Sequence, residues 1–198
     1  MGGIVLSGFL AVVVSIYVMS QPPELPAALA TGGEFDQTNK ALFERAAKGK
    51  VEDQYTVGLL LLRGDAVPQN YGEAIKWFER AAKQNHAGAQ LNLGLLYKNG
   101  RGVLQDFTTA GQWFEKAARQ GLPEAEYHLG TLYKVGEGVN HDMKQAYAWY
   151  NLAAAHGYEP ALTARQTITT FMSAAEIAEA QALSRSLISP GNPAGASQ

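Results

Sequence analysis

The feature that most constrains the fold of this chain is a repeat of 36 residues. Residues 51–86, 87–122 and 123–158 align with one another without a gap, and the second and third segments are identical at 15 of 36 positions. A fixed period of about 20–50 residues is typical of repeat proteins, in which each unit buries its apolar face against its neighbours. The period therefore predicts a solenoid built from three copies of one structural unit.

Each unit begins with the pattern of an amphipathic helix that contains a glycine. A large residue precedes the glycine and another follows it three residues later, so both lie on one helical face. Glycine costs about 1 kcal/mol of helix propensity, and we expect it to allow close approach of the second helix. The three sets are Val57-Gly58 with Leu61, Leu93-Gly94 with Tyr97, and Leu129-Gly130 with Tyr133.

A glycine-rich turn separates this helix from the second one. Gly-x-Gly occurs in the second and third units, where positive φ angles are expected, whereas the first unit has Ala66 at the second glycine position and its turn is expected to differ. Each turn ends at a residue suited to the N-cap, namely Asn70, Asp106 or Asp142. Glu73 and Gln145, three residues later, predict capping boxes in the first and third units.

The second helix of each unit carries a stripe of small residues around one tryptophan. The tryptophans are Trp77, Trp113 and Trp149, each one period from the next and each followed by an Ala-Ala pair. Equivalent positions flanked by alanines favour core packing over a ladder for stacking ligands. The helices are predicted to end at Asn85, Gly121 and Gly157, residue types that tolerate a left-handed conformation.

These motifs together resemble the Sel1-like repeat, a relative of the tetratricopeptide repeat with a longer turn. The resemblance implies an all-α fold, an α-α superhelix, and the apolar first residues predict an N-terminal hydrophobic helix added to it. The chain then divides into a signal peptide or membrane anchor 1–30, a linker and degenerate half-repeat 31–50, three repeats over 51–158, and a capping helix pair 159–188. In that pair, Ser173 and Glu176 predict a capping box. Residues 189–198 lack apolar side chains of any size beyond alanine and proline and are predicted to be disordered.

The first thirty residues bear on location. Residues 4–19 are almost entirely apolar, no charged residue precedes Glu24, and the first lysine is Lys40. A cleaved signal peptide, with its exit near Ala30, and an uncleaved membrane anchor both fit this composition. The absence of positive charge just after the segment disfavours a cytoplasmic position for the repeats. We therefore expect the repeats on the periplasmic side of the cell envelope, either anchored by residues 4–19 or released.

Composition and motifs argue against several functional classes. The formal net charge of −2 gives no electrostatic attraction to nucleic acid, and the chain has no cysteine. The histidines do not pair at helical spacing, so no metal site is predicted, and no motif of a nucleophile, phosphate loop or zinc protease is present. The turn Gly100-Arg101-Gly102 is interpreted as backbone geometry. We predict no catalytic residue, no cofactor and no small-molecule substrate.

The binding surface is predicted from the resemblance. In tetratricopeptide-like arrays the first helix of each pair lines the concave face, and residues beside the packing stripe point outward there. Candidate contacts for a protein partner are Tyr55, Leu91, Asn92, Lys98, Tyr127, His128 and Lys134, with Glu52, Thr56, Leu62, Asn99 and Thr131 beside them. A solvated helix face is the alternative interpretation, but tyrosines and basic groups in a groove suit peptide recognition.

The sequence thus predicts a non-enzymatic adaptor or scaffold of the bacterial cell envelope that binds protein through its concave face. One alternative is an accessory subunit of a membrane protein complex that uses its N-terminal helix for contacts. A less favoured alternative follows from the resemblance alone, because cysteine-rich relatives have been linked to β-lactam hydrolysis. The lack of cysteine, and of a serine beside a lysine at helical spacing, argues against it.

Overall fold

The structure is a computed structural model that describes residues 37–65 and 67–188. The predicted N-terminal helix within residues 1–30, residues 31–36, Ala66 and the tail 189–198 lie outside these ranges. The described part contains nine α-helices and no strand. In chain order they are α1 (Gln37–Ala47), α2 (Val51–Arg63), α3 (Tyr71–Lys83), α4 (Ala87–Asn99), α5 (Phe107–Ala118), α6 (Pro123–Val135), α7 (Met143–Ala155), α8 (Glu159–Thr169) and α9 (Ala174–Ile188).

The helices form a continuous stack that follows the repeat. Each helix from α1 to α7 packs against the next one along the chain, so the pairs α2–α3, α4–α5 and α6–α7 each constitute one unit. The helix α2 also touches α4, the first helix of the following unit. At the C-terminal end, α9 folds back onto α7. The all-α prediction is confirmed.

The predicted caps form at the start of each second helix. The side chains of Asn70, Asp106 and Asp142 accept hydrogen bonds from backbone N–H groups in the first turn of their helices. The prediction of capping boxes at Glu73 and Gln145 is wrong, because the N-cap N–H group is already used. In the first unit, Asn70 N donates to Leu61 O at 2.8 Å, a bond that closes the turn onto the first helix.

A complete capping box does form before α9. Ser173 N donates to Glu176 Oε2 at 2.8 Å, and Glu176 N donates to Ser173 Oγ at 3.3 Å. Within the described residues no backbone carbonyl competes for the Ser173 N–H group, so the glutamate accepts it. The box therefore needs a free N-cap donor as well as the right spacing.

The glycine in each first helix has the packing role that the sequence predicts. A Cβ atom on Gly94 would lie 2.5 Å from the ring of Phe114, and one on Gly58 would lie 2.5 Å from the ring of Phe78. The third unit repeats this contact between Gly130 and the ring of Tyr150. These aromatic rings are at most 1% exposed. The ring that anchors each helix pair therefore follows the tryptophan by one position.

The tryptophans are buried to different depths. Trp77 and Trp149 lie in the core, whereas Trp113 is half-buried at its edge, with Lys116 Nζ 4.2 Å from the ring centroid. The prediction of core packing is confirmed for the first and third units and holds in part for the second, where Trp113 packs against the core from its edge. The adjacent residue Phe114 is fully buried in the neighbouring core cluster, so it is the more buried of the two rings.

A pair of glutamines, one buried and one exposed, also recurs in the first two units. Gln84 Nε2 donates to Gln54 Oε1 at 2.8 Å, and Gln120 Nε2 donates to Gln90 Oε1 at 2.7 Å. Each inner glutamine also donates to a carbonyl at the end of the preceding second helix, as Gln54 does to Ala46 O at 3.2 Å. These bonds satisfy the buried amides of Gln54 and Gln90 and link each unit to the one before it.

Candidate functional site

The tyrosines predicted to line a groove pack instead at the junction between one repeat and the next. The ring of Tyr55 lies 4.3 Å from that of His86, and the ring of Tyr127 lies 5.3 Å from that of Tyr158. These partners are the last residues of their repeats and the N-caps of the following helices. Both tyrosines are the fifth residue of their repeat, and at this position the side chain packs where one repeat meets the next. Both are only half exposed.

Leu91 occupies the same position in the second repeat, and the prediction that it faces outward is wrong. It is 7% exposed and belongs to the core cluster around Phe114, with the N-cap residue Leu122 packed against that cluster. Because α4 lies between neighbouring repeats on both sides, more of its circumference is buried than an isolated helix pair would suggest. An aliphatic side chain at this position therefore meets the next repeat and not the solvent.

His128 lies in a largely apolar niche. Its side chain is 15% exposed, and its ring stacks on that of Phe114 at 5.1 Å between centroids. Burial lowers the pKa of His128 to about 4, and the positive charge of Lys98 contributes to the same shift. Among the described residues, its buried Nδ1 has no hydrogen-bond partner, and Nε2 lies 3.9 Å from Glu124 Oε1. His128 is therefore neutral near pH 7.

The remaining predicted contacts are polar and more accessible. Asn92 is half-buried, and its Nδ2 donates to Gly88 O at 2.8 Å within α4. Lys98 is half-buried, while Lys134 is exposed at the end of α6. Of the predicted set, Asn92 lines a cleft that the structure shows between α2 and α4. Lys98 is the chain neighbour of Asn99 in that cleft, and Lys134 lies in the next repeat.

This cleft has a volume of about 300 Å³ and is formed by the ends of two first helices and the turns that follow them. Its lining combines apolar side chains with amides and two arginines. The lining residues are Leu62, Arg63, Gln69, Tyr71, Asn92, Leu95, Leu96, Asn99 and Arg101. The volume is at the lower end of the range for small-molecule sites and suits one or two amino-acid side chains.

Hydrogen bonds and ring contacts hold the rim of the cleft in place. Gln69 Nε2 donates to Leu62 O at 2.9 Å, which fixes the turn after α2. The guanidinium carbon of Arg101 lies 6.0 Å from the centroid of the Tyr71 ring, within the range of a cation–π contact. The lining contains amide and guanidinium donors but no carboxylate. It can therefore bind hydrogen-bond acceptors and negative charge.

The sequence pattern identifies part of this cleft and misses the part that carries its charge. The predicted outward positions include Asn92, Asn99 and Leu62 but neither Arg63 nor Arg101. One signal is present in the sequence: Arg101 stands between the two turn glycines at a position that is Glu137 in the next repeat. Interpreting the turn as backbone geometry accounts for its glycines and leaves out the side chain between them.

The described residues offer no centre for metal chemistry. Across residues 37–65 and 67–188, histidine, aspartate and glutamate side chains nowhere gather in threes as a metal site would require. No helix in the same ranges is long and apolar enough to cross a membrane. The predicted membrane segment, residues 4–19, lies outside those ranges.

Comparison with known families and structures gives consistent matches. The family model described as Sel1 repeat matches residues 51–86, 87–122 and 123–158, which are the segments defined by the 36-residue period. The Sel1 repeat protein from Oxalobacter formigenes is 39% identical, with a TM-score of 0.62, over 67% of this chain and 99% of that one. No protein with a curated description matches the chain significantly.

Two further solved structures share the fold. The protective antigen c5321 of uropathogenic Escherichia coli strains, which displays an SLR fold, is 28% identical with a TM-score of 0.58. That match covers 78% of this chain and 42% of the antigen. Cysteine rich protein B of Helicobacter pylori is 25% identical with a TM-score of 0.52, over 66% of this chain and 98% of its own.

Proposed function

Because the chain belongs to the Sel1 repeat family, a generally non-enzymatic protein-interaction fold, we propose that it is an adaptor of the bacterial cell envelope. In this proposal it binds a partner protein through the concave face formed by its first helices and catalyses no reaction. The observation that carries the proposal is the polar cleft between α2 and α4, which opens among side chains of two successive first helices.

The arrangement of variable and constant positions supports binding at this face. The glycine–aromatic contacts and the N-caps occupy equivalent places in every repeat. The outward positions of the first helices differ between repeats, for example Asn92 in the second and His128 in the third. A constant scaffold with a variable surface is the arrangement by which repeat proteins present extended recognition surfaces.

The predicted contacts are assigned to different parts of this surface. We propose Asn92, Lys98 and Lys134 as polar contacts, and His128 as a neutral one at the edge of its niche. Tyr55 and Tyr127 would contribute only the exposed parts of their rings, and Leu91 would support α4 from within. Aromatic and basic groups around a desolvated centre are typical of interaction hot spots.

The proposed location in the envelope rests on the apolar, uncharged stretch of residues 4–19 and on the first lysine being Lys40. The same stretch favours one alternative, an accessory subunit of a membrane complex. A retained helix without charged flanks would pack against other transmembrane helices and would itself form part of the interface. In both versions the repeats lie on the periplasmic side.

Three measurements test the proposal. A reporter fused after Gln198 should be active only outside the cytoplasm, and mass spectrometry of the mature N-terminus should show either Met1 or cleavage near Ala30. A photo-crosslinking residue at Asn99, in the cleft, should yield a protein adduct in intact cells, whereas one at the exposed Gln112 on α5 should yield none. An active cytoplasmic reporter would contradict the envelope location, and adducts at Gln112 alone would contradict the choice of face.

A further inference from the structure

We propose that the cleft between α2 and α4 recognises an acidic segment of the partner protein, with Arg63 and Arg101 receiving its carboxylates. This inference rests on the proposed function, because it specifies the chemistry of the partner that the cleft would bind. It follows from the charge of the lining, from how the surrounding polar groups are already paired, and from a comparison with the equivalent place in the next repeat.

The two arginines give the lining of the cleft a net positive charge. Its lining contains no aspartate or glutamate. Two other arginines of the described part are paired, Arg45 with Asp53 at 2.7 Å and Arg119 with Glu115 at 2.6 Å. Neither Arg63 nor Arg101 forms an ion pair there, and both are exposed. Guanidinium groups of this kind bind carboxylates with two parallel hydrogen bonds.

The carbonyl groups at the C-terminal end of α2 do not need the arginines as hydrogen-bond donors. The last carbonyls of a helix carry partial negative charge and attract cations when they are left unpaired. Here Leu60 O accepts from Gly64 N at 2.8 Å, Leu61 O accepts from Asn70 N at 2.8 Å, and Leu62 O accepts from Gln69 Nε2. The carbonyls at the end of α4 are bonded to the turn after it in the same way. The arginines are therefore available to an incoming anion.

The apolar part of the lining indicates that the anion is carried by a polypeptide side chain. Leu96 is 2% exposed and forms the floor, while Leu62 and Leu95 are half-buried at the sides. These groups suit the methylene stem of glutamate or an adjacent aliphatic side chain. Asn92 and Asn99 add amide groups that can bond to a peptide backbone. The ring of Tyr71 beside Arg101 restricts where the guanidinium group lies.

The next repeat supplies an internal comparison on the same backbone. Moving each position by 36 residues replaces Arg101 with Glu137, Arg63 with Asn99, and Asn99 with Val135. The turn glycines are unchanged, and Gly136 and Gly138 adopt positive φ angles as Gly100 and Gly102 do. The backbone of the turn therefore accepts either charge between its glycines. The pair of arginines belongs to the α2–α4 cleft alone among the three repeats.

The test uses the full-length chain in mild detergent and a fluorescein-labelled peptide, Gly-Ser-Glu-Leu-Asp-Leu-Glu-Gly-Ser. Its isostere carries glutamine and asparagine in place of the acids, and binding is followed by fluorescence anisotropy. We expect the acidic peptide to bind at least about tenfold more tightly than the isostere, and more weakly as salt is raised. Arg101→Glu and Arg63→Glu should each weaken it at least about tenfold. Glu137→Arg, the matched control, should leave binding unweakened.

Equal binding of the two peptides, or unchanged binding by Arg101→Glu, would overturn the inference. So would binding of phosphatidylglycerol vesicles that Arg101→Glu abolishes while the acidic peptide fails to bind, since the cleft would then serve a lipid headgroup. The Asn99 crosslink separates the two levels of the proposal. An adduct that persists in the Arg101→Glu chain would be consistent with the adaptor function but would contradict recognition of an acidic segment. Adducts at Gln112 alone would contradict both binding through this face and recognition of an acidic segment.

Discussion

The carboxylate of Glu126 pairs with the imidazole of His156, whose Nδ1 lies 2.9 Å from Oε2 and 3.0 Å from Oε1. In the two preceding repeats the same two positions hold paired glutamines. The Glu126 side chain is 1% exposed, whereas that of His156 is 39% exposed. The third repeat thus has a titratable pair where the other two have neutral amides, which makes its stability depend on pH.

The first prediction concerns the pH dependence that Glu126 introduces. Burial raises the pKa of Glu126 above its ordinary value of 4.5, and the hydrogen bond from His156 only partly opposes this. The folded chain therefore holds a proton that the unfolded chain releases, and stability falls as pH rises from about 4.5 through the raised pKa. Glu126→Gln should remove this loss. The free energy of unfolding of the variant relative to the natural chain should rise between pH 4 and pH 8.

The control for this prediction is His156→Gln, which restores the partner used by the other two repeats but keeps the carboxylate. Glutamine can still donate one hydrogen bond to the carboxylate, but incomplete hydrogen bonding of a buried carboxylate costs about 1–3 kcal/mol, and the remaining bond favours the lower end. We expect His156→Gln to destabilise the chain at pH 8 and the double variant to recover most of that loss. Parallel pH profiles for Glu126→Gln and the natural chain would show that the carboxyl does not titrate across this range.

The second prediction concerns His128 and has the opposite sign. Its pKa falls to about 4 because of burial, so between pH 6.5 and about 4 the unfolded chain binds the extra proton. Stability from this group is present above about pH 6.5 and is lost as pH falls through that window. Lowering the pH from 7.5 to 5 should cost the natural chain on the order of 1–2 kcal/mol through this residue.

His128→Asn tests this, because asparagine is the residue at the equivalent position of the second repeat. The variant loses the ring stack on Phe114, so its stability at pH 7.5 should be lower. The difference between variant and natural chain should then shrink as the pH is lowered to 5, measured by urea unfolding. A difference that stays constant with pH would mean that the pKa of His128 is the same in the folded and unfolded chains.

Much of the fold follows from the sequence because its determinants are local. The N-caps Asn70, Asp106 and Asp142, and the positive φ angle of Asn85, depend on a few neighbouring residues. The close approach at the helix glycines is also predictable, because a glycine on an apolar helical face costs helix propensity in every repeat, and close packing of another group would offset that cost. The periodicity of the sequence does not show whether a given face of a helix packs against a neighbouring repeat or faces solvent. The pattern alone therefore misplaces Leu91, whose face meets the next repeat.

The choice between neighbouring aromatic residues shows the same limit. Trp113 and Phe114 are adjacent, about 100° apart around the helix, and both are large enough to fill the interface. The recurrence of tryptophan in all three repeats favours it as the anchor, yet the ring over Gly94 is that of Phe114. The polar cleft is missed in part because it combines residues from two repeats and two turns, a relationship that no single period displays.

The third prediction compares two glycines within the second repeat. A Cβ on Gly94 would lie 2.5 Å from the buried ring of Phe114, whereas one on Gly111 would lie 3.4 Å from Leu132 Cδ1. Gly94→Ala should therefore lower stability, since overpacking of about 1–3 kcal/mol exceeds the gain in helix propensity of about 1 kcal/mol. Gly111→Ala should be neutral or stabilising by up to about 1 kcal/mol. Urea unfolding of the two variants measures this, and equal midpoints would contradict the contact.

The last prediction concerns Tyr127, where a structural and a binding role give different results. Its ring lies 5.5 Å from that of Tyr150 and 5.3 Å from that of Tyr158. Because the residue is half-buried, Tyr127→Ala should cost about 2 kcal/mol, below the roughly 3–5 kcal/mol typical of a fully buried ring. A change in stability below about 0.5 kcal/mol, the range of ordinary surface substitutions, would restore the prediction of an outward-facing ring.

Tyr127→Leu is the matched variant, because leucine stands at this position in the second repeat, as Leu91. A leucine would fill part of the space between Tyr150 and Tyr158, so most of the stability lost in Tyr127→Ala should return. Partner capture, measured with the crosslinking residue at Asn99, should also return if the ring supports the repeat junction. Capture lost in a stable Tyr127→Leu chain would instead show that the exposed edge of the ring touches the partner, and the binding face would then extend from the α2–α4 cleft to α6.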